Sequence, residues 1–143
     1  MARRGLQSSA PGKVVLLGEY AVLLGAPAAV VAVNRRARAT VGPSPGERWI
    51  AAAPGLTDSP AEFEIGPSSE VCWRRSGDRA RLPLVTQVVE QLAGDNRYGV
   101  ADHGPLALEI DTTAFFMASD AGREKLGLGS SAAATGWRII ARR

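Results

Sequence analysis

The chain has 143 residues with 45% apolar and 22% charged residues, a balance suited to one globular domain with a hydrophobic core and not to a disordered chain. Its formal net charge is +3, carried by 15 arginines and only two lysines; the arginines fall in scattered pairs without interleaved aromatics, which argues against a nucleic-acid surface. No apolar run reaches the roughly 18 residues of a membrane span, and a single cysteine with a single histidine excludes a disulfide framework and the usual zinc sites. These features lead us to expect a cytoplasmic protein with neither a nucleic-acid nor a membrane partner.

In chain order, the glycine-bounded "GKVVLLG" (12–18) predicts a short buried strand, and the β-branched run in 26–42 a long one. "GPSPGE" is a turn, and "RWIAAAPG" and "AEFEIG" are short strands. Residues 66–81 read as a polar connection. In 82–94, Val85, Val88, Val89 and Leu92 recur at helical spacing with Gly94 just beyond, which predicts an amphipathic helix. "PLALEID" is a strand, 112–125 a loop, and a final helix starts at Ser130 and Ser131. His103 reads as a surface residue, Cys72 as a packed or edge thiol, Asp111 as structural and Asp120 as solvated. The order is α/β, of the α+β two-layer kind.

Two motifs carry chemistry. In "EKLGLGSSAA", Gly127 and Gly129 permit backbone conformations closed to other residues, and the serines stand at the cap of the next helix, where free N–H groups suit a phosphate. It is not a Walker loop, since no G-x-x-x-x-G-K-[ST] occurs. It matches the loose dinucleotide pattern G-x-G-x-x-A, but the required strand before it and acidic residue about 20 positions on are wanting. The residues alone leave open a plain capped helix. In "SSAPGKVVLLGEYAV", a Pro-Gly turn delivers Lys13 to the head of a strand, and a turn at Gly18 presents Glu19 and Tyr20. An ordinary Lys13–Glu19 ion pair and a core Tyr20 remain the alternatives there. Both lysines of the chain, Lys13 and Lys125, lie in these motifs, where a compact ammonium suits a crowded phosphate site better than a guanidinium fork.

The pair in this order, "APGKVVLLGEYAV" and "KLGLGSSAA", closely resembles the GHMP kinase superfamily. Within it, Tyr20 in place of a histidine, "REKLGLGSSAA" without a leading proline, and "EIDTTAFF" are most like the phosphomevalonate kinase branch. The resemblance implies the N-terminal lobe of a GHMP kinase, with the fold of ribosomal protein S5 domain 2. It implies ATP and Mg2+ as cofactors and transfer of the γ-phosphoryl of ATP to phosphomevalonate. The alternatives are mevalonate or another GHMP acceptor, or a non-catalytic remnant. Carried over by motif, Lys125, Gly127, Leu128, Gly129, Ser130, Ser131 and Ala132 would hold the nucleotide, with Ser130 or Ser131 near magnesium. Lys13 would be catalytic; Glu19, Tyr20, Asn34 and Arg35 would meet the acceptor. Family members are about twice this length or more, so residues 1–143 are expected to form a domain incomplete at its C-terminal end. With the C-terminal lobe missing, little or no catalysis is expected of this chain alone.

Overall fold

Alternation decides which residues of the central strands face inward. The computed structural model describes residues 5–95, 97, 99–120 and 122–129. Strands β1 (Leu6–Leu17), β2 (Ala29–Pro43), β3 (Trp49–Ala52), β4 (Ala61–Ile65), β5 (Val71–Trp73) and β6 (Leu106–Asp111) form one sheet in the order β1-β2-β6-β3-β4-β5. All neighbours are antiparallel except β3 and β6, which run parallel. The connection between those two carries β4, β5, a short helix α1 (Asp78–Arg81) and helix α2 (Pro83–Ala93). A parallel pair needs such a crossover, because no tight turn can reverse the chain twice.

Leu108 and Ile110 of β6 point inward while Glu109 is exposed, and Ala61 and Phe63 of β4 point inward while Glu64 is exposed. Helix α2 lays Val85 and Val89 against this face, with Val71, Ala37, Ala51 and Phe115 completing the core. The arrangement is therefore two-layered and mixed α/β. At its centre Phe63 is 1% exposed and meets the Trp49 and Trp73 rings in tilted contacts, with ring centroids 5.9 and 4.9 Å away. The Trp73 indole N–H donates to Thr86 Oγ1 at 3.0 Å, tying the edge strand to α2. On the other face, Glu62 accepts from Arg74 at 2.7 Å and lies 3.6 Å from Arg48. The Arg74 hydrogen bond is the main reason its carboxyl titrates below the ordinary value, with Arg48 adding to it.

Three expectations are corrected. The stretch 12–18 is not a short buried strand. It is the end of the 12-residue β1, and Leu16 and Leu17 are 59% and 73% exposed. The reason is topological: β6 pairs with Arg38–Pro43 of β2, so among the described residues the other half of β2 has β1 as its sole strand neighbour. That half forms a two-stranded ribbon projecting beyond the core. The polar connection 66–81 contains β5 and α1. The loop 112–125 contains a 3-10 turn (Thr113–Phe115) and a hairpin of strands β7 (Phe116–Ser119) and β8 (Gly122–Lys125). The strand expectations in 26–42 and at "PLALEID" and the helix in 82–94 match β2, β6 and α2; the helix expected from Ser130 onward lies outside the described residues.

Candidate functional site

The two glycine motifs, more than a hundred residues apart in sequence, touch. β1 is an edge strand, and Lys13 pairs with Ala32 of β2 on one side. On the free side its N–H donates to the Leu128 carbonyl at 2.9 Å. The glycine loop therefore docks on the open edge of the sheet, using a backbone donor that an edge strand leaves unpaired. Gly129 lies along the Lys13 side chain, so close that a β-carbon there would sit 3.1 Å from Lys13 Cγ. Gly127 and Gly129 have φ of +66° and +69°, the left-handed region in which a side chain is strained. The exposed side chain of Lys13 is thus held beside a loop whose backbone favours glycine at two positions.

The loop is anchored from behind by the Thr113–Phe115 turn. Asp111 Oδ1 accepts from the Thr113 N–H at 2.8 Å and its hydroxyl at 2.6 Å, fixing the start of the turn. Phe115 is fully buried, and its carbonyl accepts from the Leu126 N–H at 2.9 Å. Asp111 is structural, in keeping with its reading from sequence.

Asn34 and Arg35 occupy a β-bulge: Pro11 faces Arg36 and Gly12 faces Val33, so these two residues of β2 have no partner on β1. Pro11 lacks an N–H, which suits this interruption of the ladder. The bulge sends Arg35 across to the Ala114 carbonyl, to which Nη1 donates at 2.8 Å. Asn34 is exposed beside it. Glu19 and Tyr20 lie at the tip of the ribbon, after the turn at Gly18 (φ +82°), and Tyr20 is 79% exposed. Tyr20 is therefore not a core aromatic, and no ion pair joins Lys13 to Glu19 among the described residues. The structure brings Lys13, Leu128 and Gly129 together and sets Arg35 against the turn behind them, while Glu19 and Tyr20 stand apart on the ribbon. Ser130, Ser131 and Ala132 lie outside the described residues.

A cavity of about 210 Å3 opens where β7 and β8 overhang the start of α2. Ala53, Leu56, Leu82, Pro83, Ile110 and Phe116 make it apolar, and Arg81 and Lys125 bring two positive charges to it. Arg123 braces the hairpin above. Its guanidinium lies 5.0 Å from the Phe116 ring centre and in the space a side chain at Gly55 would fill. Sequence reasoning missed this cavity, because its lining comes from five separate segments. Lys125 was the available signal. It lines the cavity, and Leu128, three residues on, docks on β1; three extended residues span about 10 Å. An apolar cleft so close to a lysine-backed glycine loop can accept a flat ring joined to anionic groups. Among the described residues no cluster of three or more His, Cys, Asp or Glu could hold a metal ion.

No protein-family model matches the chain. It is 34% identical to a mevalonate kinase of Archaeoglobus fulgidus over 76 residues, 53% of this chain and 26% of that one. Over 39 residues it is 51% identical to a mevalonate kinase of Aeropyrum pernix, covering 27% of this chain and 12% of the relative. Among solved structures, the Lin0012 protein from Listeria innocua superposes with a TM-score of 0.66 and 28% identity, over 92% of this chain and 34% of that chain. The phosphomevalonate kinase of Streptococcus pneumoniae, solved with phosphomevalonate and AMPPNP, superposes with a TM-score of 0.58 over 90% of this chain.

The chain carries a GHMP kinase-like N-terminal portion. The resemblance read from its two motifs thus agrees with the sequence relatives and with the fold. At 22% identity the pneumococcal enzyme speaks for the fold alone. The GHMP kinase-like portion spans about a quarter or less of the sequence relatives it matches and about a third of the solved chains. Of the described residues, no helix is long and apolar enough to cross a membrane.

Proposed function

We propose that this chain is the nucleotide-binding lobe of an ATP- and magnesium-dependent kinase that transfers the γ-phosphoryl group to phosphomevalonate, giving the diphosphate. One observation supports the reading above others: the Leu128 carbonyl receives the Lys13 N–H while Gly129 lies on the Lys13 stem. A phosphate cradle and a cation in one place are what phosphoryl transfer asks of a protein, because catalysis is mostly positioning and charge stabilisation.

In this reading the cavity beside Lys125 takes the nucleotide base, and the loop from Gly127 to Ala132 wraps the phosphates. Lys13 is the catalytic residue, its ammonium offsetting charge on the transferred group. Magnesium, when bound, would neutralise phosphate oxygens, with Ser130 or Ser131 as its protein ligand. Glu19, Tyr20 and Asn34 shape the acceptor side, and Arg35 reaches it from the bulge. Tyr20, "REKLGLGSSAA" and "EIDTTAFF", which resemble the phosphomevalonate kinase branch, support this acceptor. A second reading, with mevalonate as acceptor, is favoured by both sequence relatives being mevalonate kinases.

Calorimetric titration of the 143-residue chain tests the proposal. We expect saturable binding of AMPPNP with magnesium, and phosphomevalonate to bind at least about fivefold more tightly than mevalonate, since its phosphate can engage a cation. Tighter mevalonate binding would shift the acceptor to the second reading. A folded chain that takes up no nucleotide would defeat the kinase reading and leave a non-catalytic remnant.

A further inference from the structure

Gly12 precedes Lys13 and is buried, though its neighbours on both sides are exposed. Its φ is not in the left-handed region, so backbone freedom does not explain a glycine here. Space does. A β-carbon at Gly12 would run into Cε1 of Phe115, stand 2.7 Å from the Leu128 carbonyl oxygen and 3.0 Å from Val33 Cγ2. The first two neighbours belong to the two elements that hold the glycine loop. Phe115 is the buried end of the turn whose carbonyl binds the Leu126 N–H, and Leu128 is the residue bonded to the Lys13 N–H. The bulge opposite contributes as well, because the interruption between Pro11 and Gly12 frees Arg35 to bind the Ala114 carbonyl of the same turn.

We propose that Gly12 is a positioning residue: its missing side chain is the notch that seats the glycine loop on the edge of β1 and sets Gly129 against Lys13. Three contacts converge on this seat. They are the Phe115 ring in the notch, the Leu128 carbonyl on Lys13, and the Arg35 guanidinium on Ala114. Gly12 acts through the place it gives to Leu128 and Gly129. The consequence for nucleotide affinity rests on the function proposed above, whereas the seating itself does not.

The two can be separated by measuring amide hydrogen exchange and nucleotide binding on the same proteins. In the native chain the Lys13 amide is expected to be protected by Leu128, like the β1 amides that face β2. In Gly12→Ala the Lys13 amide should exchange at least about tenfold faster than in the native chain, with the amides facing β2 little changed. Affinity for magnesium–AMPPNP should fall at least about tenfold. Because Gly12→Ala also crowds the core, the double variant Gly12→Ala with Phe115→Leu keeps the test decisive. Shortening Phe115 relieves the ring clash but not the encounter with the Leu128 carbonyl. The double variant should therefore melt close to Phe115→Leu alone, while Lys13 exchange stays fast and nucleotide affinity stays low. Unchanged Lys13 exchange in Gly12→Ala would overturn the proposal, as would recovery of protection and affinity together with stability in the double variant. If the native chain protects Lys13 and Gly12→Ala releases it, yet neither binds nucleotide, the seating stands and the kinase reading falls.

Discussion

Lys13→Met is expected to weaken binding of magnesium–AMPPNP by about 10- to 100-fold while leaving the melting temperature of the free chain nearly unchanged. Hydrogen bonds to charged groups contribute about 1.5–3 kcal/mol each, and each 1.4 kcal/mol is a factor of ten in affinity. Methionine keeps most of the stem that lies along Gly129, and the backbone N–H to Leu128 is untouched. The loss would therefore come from the ammonium and not from the loop. Since Lys13 is exposed, the free chain gains little stability from its charge. The native affinity should also fall with rising salt more steeply than that of Lys13→Met, because one attractive charge has gone. Calorimetry at two ionic strengths measures both effects. Equal affinities for the two proteins would remove Lys13 from the phosphate site.

Phe63→Ala is expected to cost about 3–5 kcal/mol of unfolding free energy, the range for deleting a fully buried ring. Phe63 sits on β4 where the sheet meets α2, with a tryptophan opposite it on each neighbouring strand. Removing it leaves a hole that the Trp73 indole cannot close without losing another contact. The Trp73 indole is held by its bond to Thr86, so movement toward the hole would break that bond. Domains of this kind are stable by only about 5–15 kcal/mol, so the variant should unfold at a much lower urea concentration. A loss below about 1 kcal/mol would mean that the core is not organised around this ring.

In the sequence β2 was legible from its β-branched run and the alternation after it, where Ala37 and Ala39 are buried and Arg36 and Arg38 exposed. Periodicity was enough to find β6 and α2, because each buries one face. It failed where that condition fails. β5 is three residues long, too short to display an alternation, and it is held by β4 and by Trp73 reaching Thr86. The β7–β8 hairpin is largely exposed, so its residues follow no inside–outside rule. The buried reading of 12–18 failed for the opposite reason. An apolar run predicts burial only if some element covers it, and β6 stops short of that half of β2.

The candidate site was legible in a similar way. Lys13 and the glycine loop announced themselves as motifs, since their composition departs from an arginine-rich chain. What joins them did not. Gly12 looks like half of a Pro-Gly turn until Phe115 and the Leu128 carbonyl are seen in its empty side-chain space. Arg35 is visible in the sequence as a charge at the end of a strand, but the bulge that ties its guanidinium to the Ala114 carbonyl is not. The cavity beside Lys125 draws on residues from 53 to 125, a convergence that only the fold displays.

The central claim is that Lys13, the glycine loop and the cavity at Lys125 form one nucleotide site. Amide shift mapping of the labelled chain during titration with magnesium–AMPPNP tests it most directly. The account predicts that the amides of Lys13, Gly127, Leu128 and Gly129 shift together with those of Lys125, Leu84 and Val85, along a single binding curve. Shifts confined to another surface, such as the cleft between Trp49, Pro67 and Pro105, would contradict it.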